Sequence, residues 1–398
     1  MADNKDKKVL NVPALRFPEF TEEWQGEQLQ EIAELSKGIG ISKEQLSENG
    51  TPCILYGELY TKYKSEIISK IISQTDIEKS KLKHSKQNDV IIPCSGETAI
   101  DIAVARCVPF DNVLLGGDLN VIRLHKYDGA FMAYQLNGKR KTDIAKLAQG
   151  VSVVHLYGEN LKSIKTYNPS LQEQQKIVKL LSMLDERLEV QNKIIEKLQS
   201  LIRGIRNSLL YSDNGTPIRI GDILKERAEK TTVNNQHEIL SSTVKGIFSQ
   251  REYFSKDIAS ENNVGYKVIR LHDVVLSPQN LWMGNINYND RFEVGIVSPS
   301  YKIFTIAEKY DKTFIASMLK TQRALYNYML VSEQGASIVR RNLNMEAFEQ
   351  LVFKIPPYEK QCEIGRTMLA LRTRLAIANA IKIAYGQQKQ WLLRKMFI

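Results

Sequence analysis

The stretch PSLQEQQKIVKLLSMLDERLEVQNKIIEKLQSLIRGIRNSLLY, residues 169–211, decides the architecture of this 398-residue chain. Its apolar positions Ile177, Leu181, Leu184, Leu188, Ile195, Leu198, Ile202, Ile205 and Leu209 step by four and three, with Gln191 the one polar insertion. A 3.5-residue repeat nearly matches the helical turn, so it keeps one stripe facing a partner, and the spacing predicts a long helix that pairs through this seam. Asn168-Pro169 suits a helix start, and Ser170 with Glu173 has capping-box spacing. The run Ser212-Asp213-Asn214-Gly215-Thr216-Pro217 ends the helix. At 1.5 Å per residue such a rod is about 60 Å long.

A second helical stretch follows Pro356-Pro357 and runs to Ile398. Ile364, Met368, Leu371, Leu375 and Ala378 repeat the four-three steps. The seam then meets Lys382, so the stripe is expected to drift through Ile381 and Tyr385 towards Leu392 and Met396. Outside the helices, residues 20–165 and 215–355 hold short β-rich runs, among them Asp89-Val90-Ile91-Ile92, Asn120-Val121-Ile122-Arg123-Leu124, Asp273-Val274-Val275-Leu276 and Tyr301-Lys302-Ile303-Phe304. Gly, Asn and Ser turns separate them, and helical stretches such as Thr313–Tyr328 intervene. Two α+β domains of about 140 residues each are expected.

The chain is internally repeated. Pro169-Ser170-Leu171-Gln172-Glu173-Gln174-Gln175-Lys176-Ile177 aligns with Pro356-Pro357-Tyr358-Glu359-Lys360-Gln361-Cys362-Glu363-Ile364 at an offset of 187. Gly150-Val151-Ser152-Val153-Val154 resembles Gly335-Ala336-Ser337-Ile338-Val339 at 185, and Asp89–Ile92 resembles Asp273–Leu276 at 184. A preserved order with drifting offsets is what loop insertions leave in a duplicated unit. One long helix carries the chain away and the other has the length to bring it back, so the two should lie antiparallel with a globular domain at each end.

Composition narrows the function. Hydrophobic residues make up 43% and charged residues 25%, as in a water-soluble globular protein. A net charge of +10 and a pI of about 9.2 favour an anionic partner, most commonly nucleic acid. Cys53, Cys94, Cys107 and Cys362 lack zinc-ligand spacing, and His84, His125, His155, His237 and His272 are scattered, so no metal site is expected. No secretion signal or membrane span is legible, which points to the cytoplasm. No Gly-x4-Gly-Lys-[Ser/Thr] loop is present for ATP. Gly38-Ile39-Gly40 reads as a turn. Asn168-Pro169-Ser170-Leu171 and Ile355-Pro356-Pro357-Tyr358 both fall short of the [Asp/Asn]-Pro-Pro-aromatic tetrad of adenine methyltransferases. No catalytic residue and no cofactor are therefore assigned.

The opening Leu15-Arg16-Phe17-Pro18-Glu19-Phe20 with Trp24, Leu29 and Ile32, the Gly-x-Ser segments, the Pro-x4-Gln-x2-Ile helix starts and the tandem plan together resemble the specificity (S) subunits of type I restriction–modification enzymes. The resemblance covers essentially the whole chain. It implies two target-recognition domains, 1–167 and 213–355, separated by two long antiparallel coiled-coil helices, 168–212 and 356–398, in an α+β fold with a pseudo-two-fold repeat. It further implies a non-catalytic subunit that reads double-stranded DNA, docks two methyltransferase (M) subunits through its helices and is joined by restriction (R) subunits. S-adenosylmethionine, Mg²⁺ and ATP would be bound by those partners. Competing readings are a coiled-coil scaffold with protein-binding heads and an orphan DNA adenine methyltransferase.

No base-reading residue carries over by motif, so contacts are argued from chemistry: Arg, Lys, Asn, Gln and Ser at base edges, and cations and amides at phosphates. In the first half the candidates are Asn137, Lys139, Arg140 and Lys141 beside Tyr134, then Tyr56, Tyr60, Lys62, Tyr63 and Lys64, then Lys37, Ser42 and Lys43 around the glycine turn, and Ser152. In the second half they are Lys245, Gln250, Arg251, Gln279, Asn280, Trp282, Asn285, Ser337, Arg340, Arg341 and Asn342.

Overall fold

The computed structural model describes residues 10–209, 215–253, 262–334 and 341–398, without the side chains of residues 79, 207–209 and 334. Two compact units emerge: the described residues up to Asn192 together with Ala380–Ile398, and Lys193–Asn379. Each long helix thus divides its length between them.

The first unit is built from β1 (Gln25–Gln28), α1 (Leu29–Ile32), β2 (Ala33–Lys37), β3 (Asp89–Pro93), β4 (Arg106–Val108), β5 (Leu119–Leu124), α2 (Gly129–Asn137) and β6 (Lys165–Asn168). The first long helix is α3 (Leu171–Leu209). The second unit follows with β7 (Thr216–Arg219), α4 (Ile220–Ile223), β8 (Leu224–Glu226), β9 (Leu240–Thr243), β10 (Gly246–Ser249), β11 (Val274–Leu276), β12 (Ile286–Tyr288), β13 (Lys302–Ile306), α5 (Lys312–Met318) and β14 (Val352–Ile355). The second long helix, α6 (Tyr358–Lys395), closes the order.

The repeat holds strand by strand. The first unit's antiparallel sheet runs β2-β5-β3-β4 and the second unit's runs β8-β13-β11-β12, so equivalent strands occupy equivalent places. The runs around Asp89 and Asp273 are the same strand of each sheet. Both follow a left-handed residue, Asn88 at φ +77° and His272 at φ +76°. Both aspartates turn back to accept a backbone N–H, from Lys86 at 2.8 Å and from Arg270 at 2.6 Å. Arg123 neutralises the first at 2.7 Å, and Arg227 the second. The five-stranded sheet that accompanies the first unit, ordered Leu46–Ser47, Ser73–Thr75, Thr51–Ile54, Leu114–Leu115 and Lys83–His84, gives way in the second to two antiparallel pairs, β9 with β10 and Lys267–Arg270 with Val294–Val297. Of the matched Gly-x-Ser segments, residues 335–339 lie outside the described residues.

The Pro-x4-Gln motif has a mechanical meaning. Gln174 donates to the Pro169 carbonyl at 2.8 Å and accepts from the Asp128 N–H at 2.9 Å. Gln361 donates to the Pro356 carbonyl at 2.9 Å and accepts from the Asp311 N–H at 3.0 Å. Asp128 and Asp311 are themselves the N-caps of α2 and α5. One glutamine therefore ties each long helix to the short helix packed on it, and satisfies amides that a helix start leaves unpaired.

The seam is buried as the spacing requires. In the first unit Ile177, Leu181 and Leu184 pack with Leu392, Leu393, Met396 and Phe397, and with Trp24, Phe131 and Tyr134 of the globular part. Trp24 meets Phe131 edge-on at 5.7 Å and Phe397 at 6.3 Å, contacts worth about 0.5–1.5 kcal/mol each beyond their buried area. Asp185 pairs with Lys389 and Arg187 lies over Tyr385, so the two helix segments run antiparallel here. In the second unit Ile202 with Leu198 and Ile205 shares a core with Ile364, Met368, Leu371 and Leu375. Ile195 is also buried and Leu188 half-buried; the Leu209 side chain lies outside the described set.

Three expectations are corrected. The second seam does not pass through Ile381, which is exposed: it is interrupted at the exposed Lys382 and resumes in the same register at Tyr385, Lys389, Leu392 and Met396. Lys389 thus occupies a seam position, held by Glu66 and Asp185, with Tyr134 donating to Asp185 at 2.6 Å. Glu173 does not complete a capping box. Although its N–H donates to Ser170 at 3.4 Å, its carboxylate takes Arg16 at 2.7 Å and the Trp24 indole at 3.3 Å, which explains the opening Arg-Phe-Pro…Trp motif. Residues 313–328 are two helices, because Thr321 caps a new one at Gln322–Leu330.

Lys389→Met should leave two buried carboxylates without their cation and cost about 3–5 kcal/mol in urea unfolding at pH 7. Adding Glu66→Gln and Asp185→Asn should recover most of the loss.

Candidate nucleic-acid interface

In the first unit β2 ends on Lys37, which is exposed and lies 5.9 Å over the Tyr157 ring. Tyr157 stacks on His155 at 6.3 Å, both exposed. The following Gly38 is a close-approach position, since an added Cβ would fall 1.9 Å from the Gly116 carbonyl oxygen. This backbone packing explains the glycine without a phosphate loop. Ser42 completes a capping box with Gln45, and Lys43 stands exposed beside it. Ser152 sits in an exposed turn after Gly150, whose φ of +118° favours glycine. Its neighbour Val151 is 97% exposed, a bare apolar side chain at a loop tip.

The remaining candidates divide by what their side chains already do. Lys139 is exposed, Lys141 half-buried, and Lys64 exposed with its ammonium 3.4 Å from the Tyr60 carbonyl. Tyr60 is half-buried against the core, and Lys62 is paired with Glu58 at 2.7 Å. Three others serve the fold. The Asn137 amide bonds both backbone groups of Ala105, at 2.7 and 2.9 Å. Arg140 is divided between Asp143 at 3.1 Å, the Ile398 carbonyl at 2.5 Å and the Tyr167 face. Tyr63 is buried, its hydroxyl accepting from the Ile72 N–H, and burial pushes it up to about 12.

In the second unit Lys245 is exposed in the turn between β9 and β10, where Gly246 has φ +142°. Gln250, half-buried, and Arg251, exposed, open a short helix after β10. Trp282 and Arg341, far apart in sequence, meet with the guanidinium 4.6 Å over the indole. Asn280 is half-buried beside Trp282 in the same turn. Asn285 is buried, bonding the Ser242 hydroxyl at 2.9 Å and its carbonyl at 3.1 Å, and so holds the β9–β10 hairpin. Ser337 and Arg340 lie outside the described residues.

Sequence reasoning missed Tyr157 and His155, and also Tyr288, which is stacked on His272 with its hydroxyl 2.5 Å from the imidazole. The two proline segments compared with the methyltransferase tetrad are helix starts: Asn168 is buried and bonded to Thr166 and Glu27, and Ile355 lies in the core. Among the described residues no helix is long and apolar enough to cross a membrane.

Residues 21–200, which contain the first unit's sheet, its exposed cations and most of α3, match the family described as type I restriction modification DNA specificity domain. Over those residues, a little under half of the chain, the sequence is similar to that family. A specificity domain selects DNA sequence, which agrees with the basic charge and the polar, cation-bearing surface. The fold extends the likeness to the whole chain. The type I restriction–modification S subunit from M. genitalium is similar over 97% of this chain and 99% of its own, with a TM-score of 0.61 at 16% identity. A structure concerned with complex assembly and conformational transition of the type I R-M system is similar over 95% and 98%, with a TM-score of 0.53 at 13% identity.

Asn137→Ala is expected to lower stability by about 1–3 kcal/mol, since both backbone groups of Ala105 lose their partner. Once folded, the variant should bind DNA as the parent does, by fluorescence anisotropy.

Proposed function

We propose that this chain is the non-catalytic specificity subunit of a type I restriction–modification complex, each half reading one part of a bipartite, asymmetric target on double-stranded DNA. The observation that carries the reading is the contrast between scaffold and surface. Gln174 and Gln361, Asp128 and Asp311, and Asp89 and Asp273 are identical residues in identical roles. The surface chemistry differs: exposed Lys37, Lys43, Lys139 and Ser152 in one half, exposed Lys245 and Arg251 with the half-buried Trp282–Arg341 stack in the other. Two similar frames with unlike reading groups suit two unlike half-sites.

In this reading residues 1–167 and 213–355 are the recognition domains, and 168–212 and 356–398 the spacer helices. The exposed faces of the helices dock two methyltransferase (M) subunits, and restriction (R) subunits join them. Methyl transfer and cleavage, with S-adenosylmethionine, Mg²⁺ and ATP, belong to those partners, and the assembly works in the cytoplasm. The test mixes the purified chain with its methyltransferase subunit. A stable complex that methylates one defined sequence supports the proposal, and no complex with no site-specific methylation overturns it.

Binding should also release counterions. DNA affinity is expected to fall steeply with salt, and Lys139→Gln or Arg251→Gln each to reduce the log–log slope by about one. Absence of any salt-dependent DNA affinity would favour a protein-binding scaffold.

A further inference from the structure

The second unit holds a cavity of about 380 Å³ lined by five cationic side chains, Arg206, Lys245, Arg291, Lys320 and Arg372, against one carboxylate, Asp290. Arg291 is partnered outside it by Glu252 at 2.9 Å. Among the described residues, the hydrogen-bond partners of the half-buried Lys320 and Arg372 are neutral. Lys320 donates to the Asn287 side-chain oxygen at 2.5 Å and the Val244 carbonyl at 3.2 Å. Arg372 donates to the Ser317 hydroxyl at 3.3 Å. The buried Nε of Arg206 has no acceptor among the described residues.

These charges work against one another. Burial, and then the charges of Arg206 and Arg372, push the Lys320 ammonium down to about 8. Burial lowers both guanidinium groups, and Arg372 adds to the effect on Arg206, while Asp290 partly offsets it at Arg372. Unpaired cations in a poorly solvated place are costly, and natural structures normally pair them.

The repeat supplies the control. At the offset of 187, Arg372 stands where the first unit has Asp185, and each bonds a hydroxyl of the equivalent short helix, Ser317 or Tyr134. In the first unit the buried cation Lys389 is matched by Glu66 and Asp185. In the second unit the equivalent place is positive, and among the described residues Asp290 is the one carboxylate that lines it.

We propose that this cavity is a phosphate site, in which Arg206, Lys320 and Arg372 share one phosphate group and Lys245 stands at its mouth. Guanidinium groups suit it because their fixed donors match tetrahedral oxyanions. The group is a backbone phosphate of bound DNA, a source that rests on the function proposed above, or free phosphate.

Thermal unfolding of the full chain in inorganic phosphate, acetate and chloride at matched ionic strength tests the site. Phosphate should raise the Tm in a concentration-dependent way, and Arg372→Met should abolish the rise while leaving the protein at least as stable in chloride. Lys320→Met gives the same reading should Arg372→Met fail to fold. The salt dependence of DNA binding then separates the sources. A log–log slope reduced by about one in either variant places a DNA phosphate in the cavity, with or without a free-phosphate effect. An unchanged slope with a phosphate-specific rise assigns it to free phosphate. No phosphate-specific rise with an unchanged slope overturns the site, as does a rise that acetate reproduces with an unchanged slope. If the parent chain binds no DNA at all, the function proposed above fails, and the phosphate titration still decides this site.

Discussion

Two long helices carry a stripe that water would not tolerate, and in each unit it is covered by a core shared with the globular part. The stripe keeps the same phase in both helices: the seam positions from Ile177 to Leu209 have counterparts 187 residues on, from Ile364 to Met396, except that Ile195 corresponds to the exposed Lys382. Neither helix could stand alone on propensity, since amphipathic helices draw most of their stability from packing. In each unit, segments of both helices share a core with a short helix and a strand pair, β1 with β6 or β7 with β14. The glutamine clamps at Gln174 and Gln361 set where that packing begins. At Lys389 the stripe is broken by a charge, and the first unit answers with Glu66 and Asp185.

Much of this was legible because it is periodic or duplicated. Heptad steps show in the sequence directly, and the pairing of Asp89–Ile92 with Asp273–Leu276 placed the same strand in two sheets. The failures have a common cause: residue type does not report burial or partners. Asn137, Arg140, Tyr63 and Asn285 have the chemistry of DNA contacts, yet their groups are consumed by Ala105, Asp143 with Ile398, Ile72 and Ser242. Ile381 has the type of a seam residue yet stands exposed, because the stripe passes it by and resumes at Tyr385 beyond the exposed Lys382. The cluster of Arg206, Lys320 and Arg372 draws on three distant segments, and the Arg341–Trp282 stack on two, so no local pattern announces either.

A duplicated frame with unlike surfaces is an economical way to specify an asymmetric sequence. The frame is fixed by aspartate turns, helix caps and the seam, all of which tolerate little change. The exposed side chains on it contribute little to folding, so they are free to differ between halves. On the function proposed above, sequence selection and covalent chemistry are separable, one in this chain and the other in its partner subunits.

The most direct measurement of that separation is the methylated sequence found when residues 216–355 are exchanged for the corresponding segment of another specificity subunit, using the same methyltransferase subunits. The account predicts that one half of the bipartite target changes and the other half stays as it was. A target that changes in both halves, or in neither, would contradict it.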